Sequence, residues 1–239
     1  MDAWRAFRQA VGMRDWDEAV FRTGATYADA SGAARYAERD ASVGAARDAS
    51  AWSLIDDLDL GGMRALDVGC GPGRDVAEMR RRGAFAWGMD ASGPLLAEAR
   101  RRHGGDWWVK ADMTRGRPWP VCDGLDLVWS QASLVHVPIE RTGGVLGLWA
   151  SWLRPGGRIA IATKEGDGQV LDHSLGDGFP RLMAYRGLDD LAGCLETLGL
   201  RIETARGGIP GQGTQDTFVA VRAVLPGPCP PRLPSAPRG

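Results

Sequence analysis

The chain has 239 residues, of which 44% are hydrophobic and 25% are charged, and its formal net charge is −1. These values are typical of a folded globular protein, and they exclude a disordered or fibrous chain. The near-neutral charge argues against binding to nucleic acid by bulk charge. Without an apolar run of about 18 residues, we expect no membrane span and a cytoplasmic location. The four cysteines lie far apart without metal-ligand spacing, so neither a metal site nor a disulfide framework is expected.

Residues 1–60 carry apolar residues at helical spacing, without the alternation of a strand. We expect this segment to form a helical cap. Its last helix is predicted from the apolar spacing between Ala51 and Leu58, and it should end before Gly61.

From residue 61 onward, strand and helix signals alternate, which predicts a Rossmann-like α/β core over residues 61–224. The sheet should be seven-stranded and mostly parallel, with helices on both faces. The last two strands are too close for a crossover helix, so we expect them to form a hairpin that leaves one strand antiparallel. The candidate strands cover residues 64–68, 84–89, 107–111, 125–130, 157–163, 200–206 and 216–223.

Two segments do not follow this alternation. Residues 164–187, after the fifth strand, resemble a loop insert, and long inserts in compact domains often act as lids or binding loops. Polar residues of the insert, such as Arg181, are candidates to cover a substrate together with residues 1–45, and a solvated loop is the alternative. The Pro-rich segment 225–239 is expected to be a disordered tail.

The most informative stretch is LDVGCGPGRD, residues 66–75. An apolar strand leads into three glycines at alternate positions, Gly69, Gly71 and Gly73, after which a helix begins. Glycines are needed where a chain turns sharply at the end of a strand and a ligand approaches the backbone closely. The dinucleotide fingerprint would place its third small residue at Arg74, so the spacing argues against a nicotinamide-dependent oxidoreductase.

A carboxylate lies at or near the end of each of the first three predicted strands. Asp67 precedes the glycines, Asp90 closes the second strand, and Asp112 closes the third. A carboxylate at Asp90 can accept hydrogen bonds from both hydroxyls of a ribose, and one at Asp112 can accept from an adenine amino group. The carboxyl ends of neighbouring parallel strands meet at one edge of a sheet, where open α/β sheets bind ligands. Each acid alone is equally well explained as a cap or a solvated residue, but three in register favour a shared ligand.

Together, LDVGCGPG, Asp90, Asp112 and LRPGG resemble the class I S-adenosylmethionine-dependent methyltransferases over about residues 60–223. The resemblance implies a seven-stranded sheet with an antiparallel last strand, and S-adenosyl-L-methionine as cofactor. It implies that Asp67 and the glycine loop hold the methionine part, that Asp90 holds the ribose, and that Asp112 and Met113 hold the adenine. The residues expected to bind the cofactor are Tyr27, Tyr36, Asp67, Gly69, Cys70, Gly71, Gly73, Asp90, Ala91, Asp112, Met113, Ser130 and Gln131.

Within this family the chain looks most like small bacterial methyltransferases that act on low-molecular-weight acceptors. There, an N-terminal tyrosine commonly closes over the cofactor, and the pattern does not choose between Tyr27 and Tyr36. His136, just past the fourth strand and near where the family places its acceptor, is the candidate catalytic base because histidine titrates near neutrality. A structural histidine that caps the following helix is the alternative. The segment 164–187 departs from the subgroup, so the identity of the acceptor does not carry over.

We therefore expect methyl transfer to an oxygen or nitrogen atom of a small-molecule acceptor. After the fourth strand the chain reads SQAS, without the Pro-Pro-aromatic motif of enzymes that methylate nucleobase or amide nitrogens. A protein or RNA methyltransferase would predict an added recognition domain or a basic face, and neither is evident, so no nucleic-acid partner is expected. A protein that binds the cofactor without transferring its methyl group would have the same loop and stays open as an alternative. The pattern indicates no oligomeric state.

Ten tryptophans are more than the length predicts. Several fall in or beside the predicted strands, where core packing explains them. Trp4, Trp16 and Trp119 remain candidates to face an aromatic acceptor.

Overall fold

The computed structural model describes residues 15–116, 124–211 and 216–227, with only the helical backbone described at residues 15 and 42–50. The helices are α1 (Asp15–Ala28), α2 (Ala30–Trp52), α3 (Arg74–Arg81), α4 (Gly93–His103), α5 (Thr142–Ala150) and α6 (Leu188–Thr197). The strands are β1 (Arg64–Val68), β2 (Phe85–Asp90), β3 (Trp108–Lys110), β4 (Leu125–Gln131), β5 (Leu153–Lys164), β6 (Gln169–Asp172), β7 (Arg181–Ala184), β8 (Arg201–Pro210) and β9 (Thr217–Val224).

Seven of these strands form one sheet in the order β3-β2-β1-β4-β5-β9-β8. Strands β1 to β5 pair in parallel, and β9 is antiparallel to both of its neighbours, β5 and β8. The predicted fold class is therefore confirmed. The strand order reverses between β1 and β4, and the carboxyl ends of the strands around such a reversal leave a crevice in which α/β sheets bind ligands.

The sheet is buried on both faces, as expected for parallel strands. Trp149 of α5 and Leu195 of α6 belong to the hydrophobic cluster on one side, and Met79 of α3 and Trp129 of β4 belong to the cluster on the other. Core packing thus accounts for Trp129, which is fully buried, with its ring centroid 5.5 Å from that of Trp52. Both indole groups donate to the carboxylate of the buried Asp75.

The helix predicted up to Leu58 is wrong in its extent. Helix α2 ends at Trp52, and the next residues form tight turns in which Leu54 N–H donates to Ala51 and Leu58 N–H donates to Ile55. The apolar spacing is explained by burial, since Leu54 and Ile55 are fully buried. A continued helix would use the carbonyl of Leu54, but that oxygen accepts from the Arg222 guanidinium at 2.7 Å.

The insert 164–187 is not a simple loop, because it contains the two-stranded antiparallel hairpin β6–β7. This hairpin packs against helix α1 through hydrogen bonds. Thr26 Oγ1 donates to the carbonyl of Pro180 at 2.8 Å, and the backbone N–H of Leu182 donates to Thr23 Oγ1 at 2.7 Å. The insert and the N-terminal helices therefore form one layer over the carboxyl edge of the sheet.

Some expectations fall outside the described residues: Trp4, Trp119 and the tail from residue 228 onward. Trp16 is partly buried on α1 and lies outside the linings of the three cavities described below. Among the described helices, none is both long and apolar enough to cross a membrane.

Candidate active site

The glycine loop turns at the end of β1, with the backbone of Gly69, Gly71 and Gly73 in the left-handed region at φ values of 76°, 52° and 86°. A Cβ on Gly69 would lie 2.3 Å from the Cβ of Ser133, and one on Gly71 would lie 3.3 Å from Tyr36. The positive φ favours glycine at both positions, and at Gly69 the space excludes a Cβ as well. These glycines leave the backbone of the loop exposed to the cavity beside it.

Two predicted cofactor residues do not reach a cavity. A Cβ on Gly73 would lie 2.4 Å from the Trp108 ring, so this glycine allows the loop and α3 to pack against β3. Ser130 is fully buried and shares a 2.7 Å hydrogen bond with Ser133, whose hydroxyl donates to the Val68 carbonyl at 2.5 Å. Both residues support the loop from behind.

A cavity of about 240 Å³ lies against the loop at the carboxyl ends of β1, β2 and β4. Helix α1 covers it from the other side. It brings together most of the predicted residues: Tyr27, Tyr36, Gly69, Gly71, Asp90, Ala91, Asp112, Met113 and His136.

Asp90 joins the glycine loop to the start of α4. Its Oδ2 accepts from the backbone N–H of Gly71 at 2.9 Å, and its Oδ1 accepts from that of Ser92 at 2.8 Å. Burial raises the pKa of Asp90, while these backbone donors oppose the rise. A carboxylate oxygen accepts more than one hydrogen bond, so both oxygens retain capacity for donors in the cavity.

Asp112 and Met113 also line the cavity, but the contacts of Asp112 are local. Its Oδ1 accepts from the backbone N–H and the hydroxyl of Thr114 at 2.9 and 2.7 Å, and its Oδ2 lies 3.2 Å from Arg115. The Asp112 side chain is 45% exposed. Capping of the turn therefore accounts for its present bonds, and an adenine contact for Asp112 stays a prediction.

A second, smaller cavity of about 30 Å³ continues on the other side of the glycine loop, beside Tyr36 and Gly69. It contains three further predicted residues, Asp67, Cys70 and Gln131, together with Asp40, Asp75 and Arg74. Burial, followed by the charges of Asp75 and Asp90, raises the pKa of Asp67 well above its usual range. Three carboxylates face a single guanidinium here, so this cavity favours a cationic group.

Tyr27, His136 and Arg181 form a hydrogen-bonded chain that links α1, the end of β4 and the hairpin. The Leu182 carbonyl can only accept, so the 2.7 Å contact fixes the histidine proton on Nδ1. Nε2 of His136 then accepts from the Tyr27 hydroxyl at 3.1 Å, and this hydroxyl accepts from Arg181 at 3.2 Å.

The surroundings of His136 make it a weak base. Burial, followed by the positive charge of Arg181, lowers the pKa of His136 from 6.5 to about 4. His136 is therefore neutral at physiological pH, and its unprotonated nitrogen, Nε2, already accepts a hydrogen bond from Tyr27. A phenol has a pKa of about 10, so transfer of its proton to an imidazole with a pKa of about 4 would cost about 8 kcal/mol.

Sequence reasoning missed several residues of the site. Ala132 lines all three cavities and is the one non-glycine residue with positive φ, at 54°, in the described part of the chain. The sequence does not reveal this strained backbone, because glycine or asparagine is the usual residue at a positive φ and alanine is not. Lys164, at the end of β5, is one of only two lysines among 29 basic residues, and no motif in the sequence marks it as a site residue.

The described residues contain no group of three or more His, Cys, Asp or Glu side chains placed to hold a metal ion.

The similarity to known proteins lies in the α/β core. A family model described as a methyltransferase domain matches residues 65–157. The methyltransferase GfsG of Streptomyces halstedii is 34% identical over 146 residues, which is 58% of this chain and 52% of that protein. A malonyl-[acyl-carrier protein] O-methyltransferase of Enterobacter lignolyticus is 36% identical over 105 residues, 44% of this chain and 40% of that one. The chain thus spans about half the length, or less, of these relatives.

Among solved structures, the Burkholderia thailandensis 1,6-didemethyltoxoflavin-N1-methyltransferase, with its substrate and S-adenosylhomocysteine bound, has the same fold. The TM-score is 0.67 at 21% identity, and the alignment covers 87% of this chain and 88% of that one. Residues 65–157 are thus similar in sequence to a methyltransferase domain, and the fold is that of class I S-adenosylmethionine-dependent methyltransferases of known structure.

Proposed function

We propose that the chain transfers the methyl group of S-adenosylmethionine to an oxygen or nitrogen atom of a small-molecule acceptor. The observation that carries the proposal is the pair of neighbouring cavities around the glycine loop, which share Tyr36, Gly69 and Ala132 and whose lining residues suit the parts of this cofactor. When bound, the cofactor supplies a methyl group that is already activated on a sulfonium.

The larger cavity suits the nucleoside part. Asp90 offers carboxylate oxygens held in place by two backbone N–H groups, as needed for ribose hydroxyls. Gly71 lets the loop approach closely, since a Cβ there would already crowd Tyr36. Met113 and Asp112 would hold the adenine at the far end of the cavity.

The smaller cavity suits the amino-acid part of the cofactor. Asp67 is 3% exposed, and burial together with neighbouring carboxylates raises its pKa well above the usual range. A cationic ammonium group in this cavity would offset that repulsion, and Arg74 lies on the same lining to meet a carboxylate.

Tyr27 and Tyr36 both cover the larger cavity, with their rings 5.4 Å apart in an edge-to-face arrangement. Ser92 fixes this cover, because its hydroxyl donates to the Tyr27 carbonyl at 2.5 Å. We propose that α1 and the hairpin act together as a lid that excludes water from the methyl group, while positioning supplies most of the rate. His136 then acts as a positioning residue for Tyr27, and its role as a base stays a prediction.

The experiment is calorimetric titration of S-adenosylmethionine and S-adenosylhomocysteine into the wild type and Asp90→Ala. Both ligands should bind the wild type, and the variant should bind each at least tenfold more weakly, because it loses charge-assisted hydrogen bonds to the ribose. Asp106→Ala, an exposed carboxylate before β3, is the control and should bind normally. Normal binding by Asp90→Ala would contradict the assignment, and no binding by the wild type would contradict the proposed function.

A further inference from the structure

A third cavity, of about 40 Å³, shares Tyr36, Ala132 and His136 with the lining of the larger cavity. It lies at the carboxyl ends of β4 and β5, beneath the hairpin. Its remaining lining consists of Arg39, Asp40, Val135, Lys164, Arg181, Met183 and Phe218. This "cation cavity" also shares Tyr36, Asp40 and Ala132 with the smaller cavity, so it adjoins both cavities assigned to the cofactor.

Three cations face this cavity against one carboxylate. The carboxylate, Asp40, is paired with Arg74 at 3.2 Å. Lys164 and Arg181 are paired with Asp216 at 2.8 Å and Asp172 at 2.5 Å, and neither of these carboxylates is on the cavity lining. The charged side chains on the lining itself are therefore mainly cationic.

Arg181 contributes a buried guanidinium to the lining of this cavity. Its residue is only 4% exposed, and its terminal nitrogens bond to Tyr27, Asp172 and Ser174. Its Nε has no hydrogen-bond partner among the described residues. Because Nε has almost no accessible surface, a ligand in the cavity would meet the positive charge of the guanidinium rather than this donor.

Burial, followed by the charges of Arg181 and Lys164, lowers the pKa of His136, while Asp172 opposes this change. The walls next to the cations are apolar, formed by residues such as Val135, Met183 and Phe218. A cavity needs a volume of roughly 10–15 Å³ to hold one water molecule. At about 40 Å³, this cavity has room for one small group rather than a whole substrate.

We propose that the acceptor is a small carboxylic acid with an apolar body, and that its carboxylate binds in the cation cavity between Arg181 and Lys164. This rests on the proposed function, since the cavity matters for the acceptor only if the neighbouring cavities hold the cofactor. The carboxylate would be attracted by the guanidinium of Arg181 and the ammonium group of Lys164, while the apolar walls contact the body of the acid. A carboxylate is ionised at neutral pH, so its binding makes no demand on the weakly basic His136.

The test uses benzoate and its uncharged counterpart benzamide, each titrated by calorimetry into protein saturated with S-adenosylhomocysteine. Benzoate should bind at least tenfold more tightly than benzamide. Lys164→Gln should weaken benzoate binding about tenfold, the effect expected for one charge-assisted contact, and leave benzamide unchanged. Arg39→Gln, on α2 at the rim, serves as a second variant and should weaken benzoate in the same direction.

Arg158→Gln is the matched control, because Arg158 lies on the same strand, β5, and pairs with Glu203 at 2.8 Å outside the cavity lining. It should keep the wild-type preference for benzoate. No preference for benzoate over benzamide, or a preference that survives both Lys164→Gln and Arg39→Gln, would overturn the inference. Failure of the wild type to bind S-adenosylhomocysteine would instead overturn the proposed function, so the two failures are distinguishable.

Discussion

The environment of His136 predicts a specific pH dependence of stability. Its pKa is lowered to about 4 in the folded protein from an ordinary value of 6.5. The unfolded chain therefore binds a proton at this residue between pH 6.5 and 4, and the folded protein does not. Folding free energy is lost as the pH falls through this window, and it is fully present above pH 6.5.

The magnitude follows from these two values. At pH 5 the unfolded state would gain about 2 kcal/mol relative to pH 7.5, and about 1 to 2 kcal/mol once the partial exposure of His136 is taken into account. His136→Gln removes the titrating group, so the loss of unfolding free energy between pH 7.5 and 5 should be smaller in the variant by this amount. The variant keeps a polar side chain near Tyr27.

The assay is urea unfolding at a series of pH values for wild type, His136→Gln and the control His173→Gln. Comparing the proteins at each pH cancels the carboxylates that titrate in all three. His173 is exposed on the hairpin, and its variant should follow the wild-type curve. Parallel curves for wild type and His136→Gln would refute the reasoning, because they would show that His136 ionises as readily folded as unfolded.

Two further predictions concern the support of the site. Gly73→Ala would place a Cβ only 2.4 Å from Trp108 at a residue with a positive φ of 86°. Chemical denaturation should therefore show that the variant loses about 2–4 kcal/mol of unfolding free energy. Gly62→Ala, with a φ of 75° and open space around the Cβ, should lose only about 1–2 kcal/mol, and equal losses would contradict the packing role. Arg186→Met leaves buried oxygens without their donor and should cost about 3 kcal/mol in the same assay, against less than about 1 kcal/mol for the exposed Arg101→Met. A small loss in Arg186→Met would mean that water replaces the guanidinium.

The core of the site could be predicted from sequence because its residues lie at strand ends. Gly69, Gly71, Asp67 and Asp90 follow apolar strands at short, regular distances, and parallel pairing brings such ends to one edge of the sheet. Their meeting around the two neighbouring cavities needs no long-range information beyond the strand order. The role of Gly73 was less accessible, since its contact with Trp108 depends on how α3 and β3 pack.

The acceptor side could not be predicted in the same way. Strands β6 and β7 have four residues each, too few for a clear alternation, and β6 exposes Val170 and Leu171. The insert therefore reads as a loop, and nothing local shows that Arg181 turns inward to Tyr27. The long-range bonds of Thr23 and Thr26 with the hairpin decide this arrangement.

A crystal structure with S-adenosylhomocysteine bound tests the central claim most directly. The account predicts ribose hydroxyls within hydrogen-bond distance of the Asp90 carboxylate, the amino-acid part beside Asp67 in the smaller cavity, and the adenine near Met113. The cation cavity should remain beside the sulfur atom, free for an acceptor. A ligand bound outside these cavities, or with its adenine beside Asp67, would contradict the account.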